Sequence, residues 1–306
     1  MKIAITGATG FVGKALVEKL AVNHQILVLT RSVEKAKSVF PVYLQSNLEF
    51  ASYTPKTAGD WQDKINGCDG VVNLAGAPIA EKWSGSYKQE ILASRRDGTK
   101  MIVDAIKNSA QKPQFLINAS AIGYYGTSET ATYTEISPAG DDFLAQVCQV
   151  WEAEAEKVKE VGGRLVIFRF GIVLGMGGAL AKMIPPFKIF AGGPIGEGKQ
   201  WFSWIHIDDV VNLIVTAMEN NNIEGTFNAT APFPVTMNNL CEKLGEVMKR
   251  PSWLPVPSFA LELLLGEGAK VVLEGQKVLP EKTTEVINYN YQYPEIKLAL
   301  TQIING

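Results

Sequence analysis

The run I-A-I-T-G-A-T-G-F-V-G at residues 3–13 ends an apolar stretch in three glycines spaced three apart, Gly7, Gly10 and Gly13. Glycine gives up more backbone freedom on folding than any other residue, so this spacing marks a place where something must approach the main chain closely. Between a strand and a helix, such a turn suits a pyrophosphate. Gly7 would take the tight turn, Gly10 would admit the phosphates, and Gly13 would let helix and strand pack. The free N–H groups and positive end of a helix starting at Phe11 would face the phosphate oxygens. Thr6, Thr9 and Val12 complete this candidate cradle. The other reading is a plain structural turn.

About 20 residues further on, an acid would bind a ribose 2′-hydroxyl. Here the chain reads V-L-T-R-S-V-E-K, with no acid between Ala21 and Val33. Arg31, followed by Ser32, holds the spot. A guanidinium matches a 2′-phosphate in bidentate geometry, so the expected cofactor is NADP rather than NAD. A solvated loop charge is the alternative for Arg31.

These residues need elements to position them. Short apolar runs (KIAI, QILVLT, LEFASY, GVVNLAG, QFLINAS and RLVIFRF) alternate with helical patterns, including long ones at 86–110 and 141–161. Strand–helix alternation with near-continuous apolar strands predicts an α/β fold. The sheet is expected to be parallel and covered on both faces. It spans residues 1–170. After Phe170 a Gly- and Pro-rich stretch begins, and a helix and strand within 205–230 return to the sheet.

The bulk numbers set limits. Lys+Arg is 29 and Asp+Glu is 31 in 306 residues, giving a net charge of −2. That near-neutrality speaks against nucleic acid as a partner. The 3 cysteines, Cys68, Cys148 and Cys241, lack metal spacing, and with 2 histidines no metal site is expected. No run reaches membrane-spanning length and no signal-like leader follows Met1, so the expectation is a cytoplasmic chain away from membranes.

Four segments resemble the extended short-chain dehydrogenase/reductase superfamily. They are T-G-x-x-G-F-x-G at Thr6–Gly13, NLAG at Asn73–Gly76, FRFGIVLG at Phe168–Gly175 and WIHIDDVV at Trp204–Val211. The segments SRRDGT, SAIGYYG, PPFKIFAGGPIGEGKQWFSWIHIDD and WLPVPSFALELLLGEGAKVVLEGQKVLP look like a nucleotide-sugar-epimerase-like subgroup, some of whose members carry a cell-division-inhibitor label. The resemblance implies a doubly wound Rossmann domain over 1–170, to which 205–230 returns, and a smaller, mainly helical C-terminal substrate domain, here 171–204 and 231–306. It also implies that Asn73, Leu74, Ala75 and Gly76 lie beside the cofactor. Arg95 of SRRDGT either points at that cleft or sits on a solvated or ion-paired helix face.

The superfamily pairs a Ser or Thr on the fifth strand with Y-x-x-x-K on the next helix. The Tyr exchanges a proton with substrate, and the Lys lowers its pKa and holds the nicotinamide ribose. Ser120 matches the first, as a substrate hydrogen-bonding group or else as a turn cap. The pair itself is missing. With Glu152 at the family's following acid, Leu144 stands for Tyr and Cys148 for Lys, and residues 120–170 hold no Y-x-x-x-K. Tyr124 is the substitute proton donor to consider, with Tyr125 as the aromatic of a turn. Lys199, Trp201 and Trp204 are expected on the substrate side, Lys199 meeting an anion and the indoles stacking or packing between domains. His206 is expected to bond across the domain junction, and Asp208 or Asp209 to cap a helix.

Together these features predict an NADP-dependent oxidoreductase or epimerase-like enzyme. It would act on a small carbonyl or nucleotide-sugar substrate, as a monomer or as a homodimer through the long helices. A catalytically weak NADP(H)-binding sensor is the alternative.

Overall fold

The computed structural model describes residues 1–306. Seven parallel strands form the central sheet: β1 (Lys2–Thr6), β2 (Gln25–Thr30), β3 (Leu48–Ser52), β4 (Gly70–Asn73), β5 (Phe115–Ala121), β7 (Arg164–Phe170) and β11 (Gly225–Ala229). Their order is β11-β7-β5-β4-β1-β2-β3, every pair parallel. The chain leaves β1 for β2 and β3 on one side, then crosses back to β4 on the other. That reversal opens a crevice at the carboxyl end of β1, the usual ligand site of such a sheet.

Alternation along each strand supplies both faces. Ile3 and Ile5 join a core with Leu16, Phe168, Val210 and Ile214, under the packed helices α1 (Phe11–Leu20) and α7 (Ile207–Glu219). Ala4 points the other way, with Leu27, Trp61, Ile102 and Leu165. That side is covered by α3 (Trp61–Ile65), α4 (Gly85–Asn108) and α5 (Phe143–Glu156), while α2 (Val33–Val39) packs beside β3.

Three short ribbons involve the later chain, one tying it to this body and two pairing within it. β6 (Thr132–Tyr133) pairs with β13 (Lys277–Val278), β8 (Ile172–Leu174) with β10 (Trp204–His206), and β9 (Trp201–Phe202) with β12 (Val235–Thr236). A third core gathers Phe187, Phe202, Leu240, Leu244 and Ile303 among α6 (Gly178–Lys188), α8 (Met237–Met248) and α11 (Ile296–Asn305). The intervening helices α9 (Ser258–Leu265) and α10 (Lys270–Leu273) bury no side chain completely. No helix is long and apolar enough to cross a membrane.

Two sequence expectations on the junction are decided here. Neither Asp208 nor Asp209 caps α7. His206 does, accepting from the Asp208 N–H at 3.1 Å through Nδ1. Asp209 is instead buried as an acceptor for Tyr289 Oη and the N–H groups of Gln292 and Tyr293. His206 reaches Gln302 of α11 through Nε2 at 2.9 Å. Burial holds the imidazole below its usual pKa, so it is neutral and Nε2 carries the proton.

Candidate active site

The glycine turn leaves no room for side chains. Gly7 has φ +65°, and an added Cβ would stand 2.8 Å from the Leu74 carbonyl carbon. A Cβ on Gly13 would collide with the Gly7 carbonyl oxygen, so α1 could not pack against β1. At Gly10 the nearest atom is the Gly7 oxygen at 3.1 Å, with φ −76°. Gly10 is therefore not required by strain and is only mildly constrained by that tight contact, so the space in front of it carries most of the requirement. α1 also starts without a side-chain cap or an acid in its first turn. By contrast α4, α5 and α8 are capped by Ser84, Asp142 and Thr236. An uncapped, positively polarised helix end behind a glycine turn fits an anionic pyrophosphate.

From this turn one cleft of about 1180 Å³ runs along the carboxyl end of the sheet. Gly7, Gly10, Phe11, Val12, Gly13 and Leu74 line its outer end. Ser120, Leu144, Cys148 and Trp151 line it further in, and Trp201, Ser203, Lys270 and Gln276 close the far side. Its size exceeds the ~300–1,000 Å³ typical of pockets for single small ligands. Arg31 and Ser32 stand outside the cleft at the end of β2, where Arg31 is exposed and free of ion pairs.

Several candidate residues turn out to be structural. Thr6 Oγ1 donates to Asn73 Oδ1 at 2.6 Å and accepts from the N–H groups of Leu74 and Ala75. Asn73 Nδ2 donates to Thr99 and Asn118. Both side chains are buried, so they shape the NLAG turn and do not reach the cleft. Thr9 is exposed at the turn, and Ala75 and Gly76 do not line the cleft.

Tyr124 is off the cleft as well, because the Arg169 guanidinium lies 3.3 Å from its ring centre. Trp204 is fully buried in the third core, with Nε1 donating to the Phe233 carbonyl, so it has no face for a substrate. Lys199 is exposed away from the cleft and ion-paired to Glu197 at 2.7 Å. Of the K-Q-W-F-S-W stretch only Trp201 and Ser203 reach the cleft, since alternate residues of a strand point to opposite faces.

Ser120, at the end of β5, has a more specific setting than its position suggested. Its hydroxyl donates to Glu152 Oε1 at 2.6 Å. Glu152 is held by Arg169 of β7 through two hydrogen bonds, at 2.8 Å from Nε and 2.7 Å from Nη2. Arg169 Nη1 donates to Tyr125 Oη, which donates to Asn228 Oδ1 at 2.7 Å. The side chains of Arg169 and Glu152 are 6% and 11% exposed, so the pair is enclosed. Because the Ser120 proton points at Glu152, the lone pairs of Oγ remain for a donor in the cleft, such as a substrate hydroxyl. Tyr125 is pushed up to about 12 by burial, against the pull of Arg169, and is no proton donor at neutral pH.

Leu144 and Cys148, one turn apart on α5, both line the cleft with Ser120. Burial pushes the Cys148 thiol up to about 11, which leaves it neutral. Arg169 is the functional neighbour that sequence reasoning missed. The available signal was a cation at the inner end of the apolar run L-V-I-F-R-F, which calls for a buried acid. Arg95 lies along the cleft wall, packed against Gly76 and over the Trp151 ring.

A doubly wound sheet, a glycine turn under an uncapped helix and a cleft at the switch point define a dinucleotide-fold protein. The family model described as the NAD dependent epimerase/dehydratase family matches residues 3–229, and a domain of unknown function, DUF1731, matches residues 256–303. The chain belongs to this epimerase/dehydratase family, a member of the extended short-chain dehydrogenase/reductase group. It is 50% identical to the epimerase family protein SDR39U1 homolog, chloroplastic, of Arabidopsis thaliana, over 99% of this chain and 87% of that one. It is 39% identical to the epimerase family protein YfhF of Bacillus subtilis, over 99% and 98%. A crystal structure of human epimerase family protein SDR39U1 (isoform 2) with NADPH superposes with a TM-score of 0.85 at 33% identity, covering 99% of each chain. UDP-glucuronic acid 4-epimerase of Bacillus cereus shares the fold at 20% identity, with a TM-score of 0.82 over 99% of this chain and 98% of that one.

Proposed function

We propose that this chain is an NADP-dependent oxidoreductase or epimerase-like enzyme that handles a small carbonyl or hydroxyl compound, nucleotide-sugars included. The observation that carries the reading is the single cleft joining the glycine turn to Ser120. The residues present fit the dinucleotide: the backbone at Gly7–Gly13 would take the pyrophosphate and Arg31 the 2′-phosphate. The SDR39U1 structure with NADPH supports the same choice of cofactor. The bound dinucleotide supplies hydride transfer.

The chain's own part is to orient substrate and move a proton. Ser120 Oγ can accept the proton of a substrate hydroxyl while its own proton passes to Glu152, and the reverse sequence returns it. Glu152 is already engaged in an enclosed ion pair with Arg169, and no Tyr-Lys pair lies beside it. Turnover is therefore expected to be slow. General acid–base help is typically worth about 10²–10⁴-fold, and much of that should be missing.

The test follows NADPH consumption over a panel of carbonyls and nucleotide-sugars, with Ser120→Ala in parallel. Slow turnover that falls sharply in Ser120→Ala is expected. Fast turnover showing a base near pH 7, untouched by Ser120→Ala, would place the chemistry elsewhere. The apolar wall of Leu144 and neutral Cys148 favours one second reading, a sensor of cofactor redox state. NADPH binding without turnover on any of these compounds would select it.

Cofactor choice has its own expected result. Arg31→Ala should weaken NADPH by roughly 1.5–3 kcal/mol, the loss of a charge-assisted hydrogen bond, and leave NADH unchanged. Fluorescence titration measures both. Equal wild-type affinities for NADPH and NADH would remove Arg31 from the site.

A further inference from the structure

Beyond Ser120 the cleft changes character. Trp83 and Phe143 meet edge to face with ring centres 5.3 Å apart, and Leu144, Val147 and Val271 continue the apolar wall. A strap of residues 267–276, which includes α10, spans this half from Trp83 to Trp201. A Cβ on Gly268 would collide with the Glu81 carbonyl oxygen, and one on Gly275 with the Trp201 carbonyl oxygen, so both ends of the strap lie flat on their neighbours. Polar contacts pin the same two ends. Lys88 pairs with Glu267 at 2.7 Å, and Thr127 Oγ1 donates to Glu274 at 2.8 Å.

The donors of this half are already spent inside the protein. Trp83 Nε1 donates to the Ile79 carbonyl, Trp201 Nε1 to the Glu129 carbonyl and Gln276 Nε2 to the Ile122 carbonyl. Ser203 Oγ donates to the Gln276 carbonyl and accepts from the Val278 N–H. The Lys88 ammonium, besides its pairing with Glu267, lies 4.8 Å from the centre of the Phe143 ring.

The charge balance points the same way. Four carboxylates, Asp141, Asp142, Glu267 and Glu274, line this half against two cations, Lys88 and Lys270. Lys270 is exposed on the strap, between the two glutamates in sequence. Arg95 forms no ion pair, but it lies two turns from Lys88 along α4, about 10 Å away, packed against Gly76 of the NLAG turn. A nucleoside diphosphate would bring two negative charges to an acidic rim and find few free donors. An uncharged ring compound needs only apolar walls and one polar contact, which Ser120 offers.

We propose that this half of the cleft binds an uncharged compound with an aromatic-sized ring system, its carbonyl or hydroxyl at Ser120, and that the strap turns nucleoside diphosphates away. The inference rests on the dinucleotide-dependent reading of the cleft and narrows its substrate class.

The experiment is calorimetric titration of the cofactor-loaded protein. The probes are 2-acetylnaphthalene on the NADPH form, 1-(2-naphthyl)ethanol on the NADP⁺ form, and UDP-glucose and benzyltrimethylammonium on both. The ketone or the alcohol should bind with a Kd below about 1 mM, and UDP-glucose at least about 30-fold more weakly. Trp83→Ala should weaken the ring compounds about tenfold while NADPH stays within about twofold. Val271→Glu, which places a carboxylate in the apolar wall, is a second variant and should weaken them at least as much. Glu267→Gln frees Lys88 and should improve UDP-glucose about 3–10-fold. A thermal melt of each variant checks folding.

UDP-glucose binding as tightly as the ring compounds would overturn the proposal. So would ring-compound affinities unchanged in both Trp83→Ala and Val271→Glu, or no measurable binding of either ring compound. Tighter binding of benzyltrimethylammonium than of the ketone would overturn it too, because the carboxylates would then be binding groups. The ring compounds are also titrated on cofactor-free protein. Failure of NADPH itself to bind wild type would overturn the dinucleotide reading, a result read separately from the others.

Discussion

Gly10→Val is expected to abolish dinucleotide binding while the protein stays folded and melts close to wild type. Both halves follow from the local geometry. Valine at φ −76° and ψ 175° is an ordinary extended conformation, and the one tight contact of a Cβ, the Gly7 oxygen at 3.1 Å, asks for a shift of only a few tenths of an ångström. The branched side chain would fill the space that a pyrophosphate needs in front of α1. A loss beyond about 100-fold in NADPH affinity is expected, since the helix N-terminal donors become unreachable. Gly13→Val is the contrast. There the side chain meets the Gly7 carbonyl, so folding itself should suffer. Titration beside a melting curve separates the two, and retained binding in Gly10→Val would mean that the phosphates sit elsewhere.

Arg169→Met should destabilise the fold by about 3–5 kcal/mol, because it leaves Glu152 as an enclosed, unpaired carboxylate. The double variant Arg169→Met with Glu152→Leu should recover most of that loss, since removing both charges removes the desolvation penalty. Urea unfolding reads both differences. A single-variant cost below about 1 kcal/mol would show that water already reaches the pair. Ser120 would lose a defined acceptor in the double variant, so it should stay folded while Ser120-dependent turnover falls.

The phosphate cradle was legible because its requirements are local. Gly7 needs a positive φ, and Gly13 needs contact distances that only glycine allows, and both are properties of residue type. The parallel sheet was legible too, from apolar strands alternating with helices, because a strand buried on both faces is apolar along most of its length and carries polar residues chiefly near its carboxyl end. The substrate side was less so. Lys199, Trp201 and Trp204 looked equivalent in a row of aromatic and polar residues. Which one faces the cleft depends on β9 pairing with β12 and β10 with β8, partners more than 30 residues away in sequence.

By itself, then, the sequence determined the sheet, the glycine turn, the cationic residue at the end of β2 and the absence of a Tyr-Lys pair. Each of these is set by residue type within one element and its flanking turn. Only the tertiary structure decided the rest: that Thr6 and Asn73 turn inward, that Arg169 captures Glu152 and lies across Tyr124, that the Ser120 proton points away from the cleft, and that Arg95 enters it uncompensated. The reason is physical. A buried polar side chain takes whichever partner three-dimensional packing brings within about 3 Å, and that partner need not be near it in the chain.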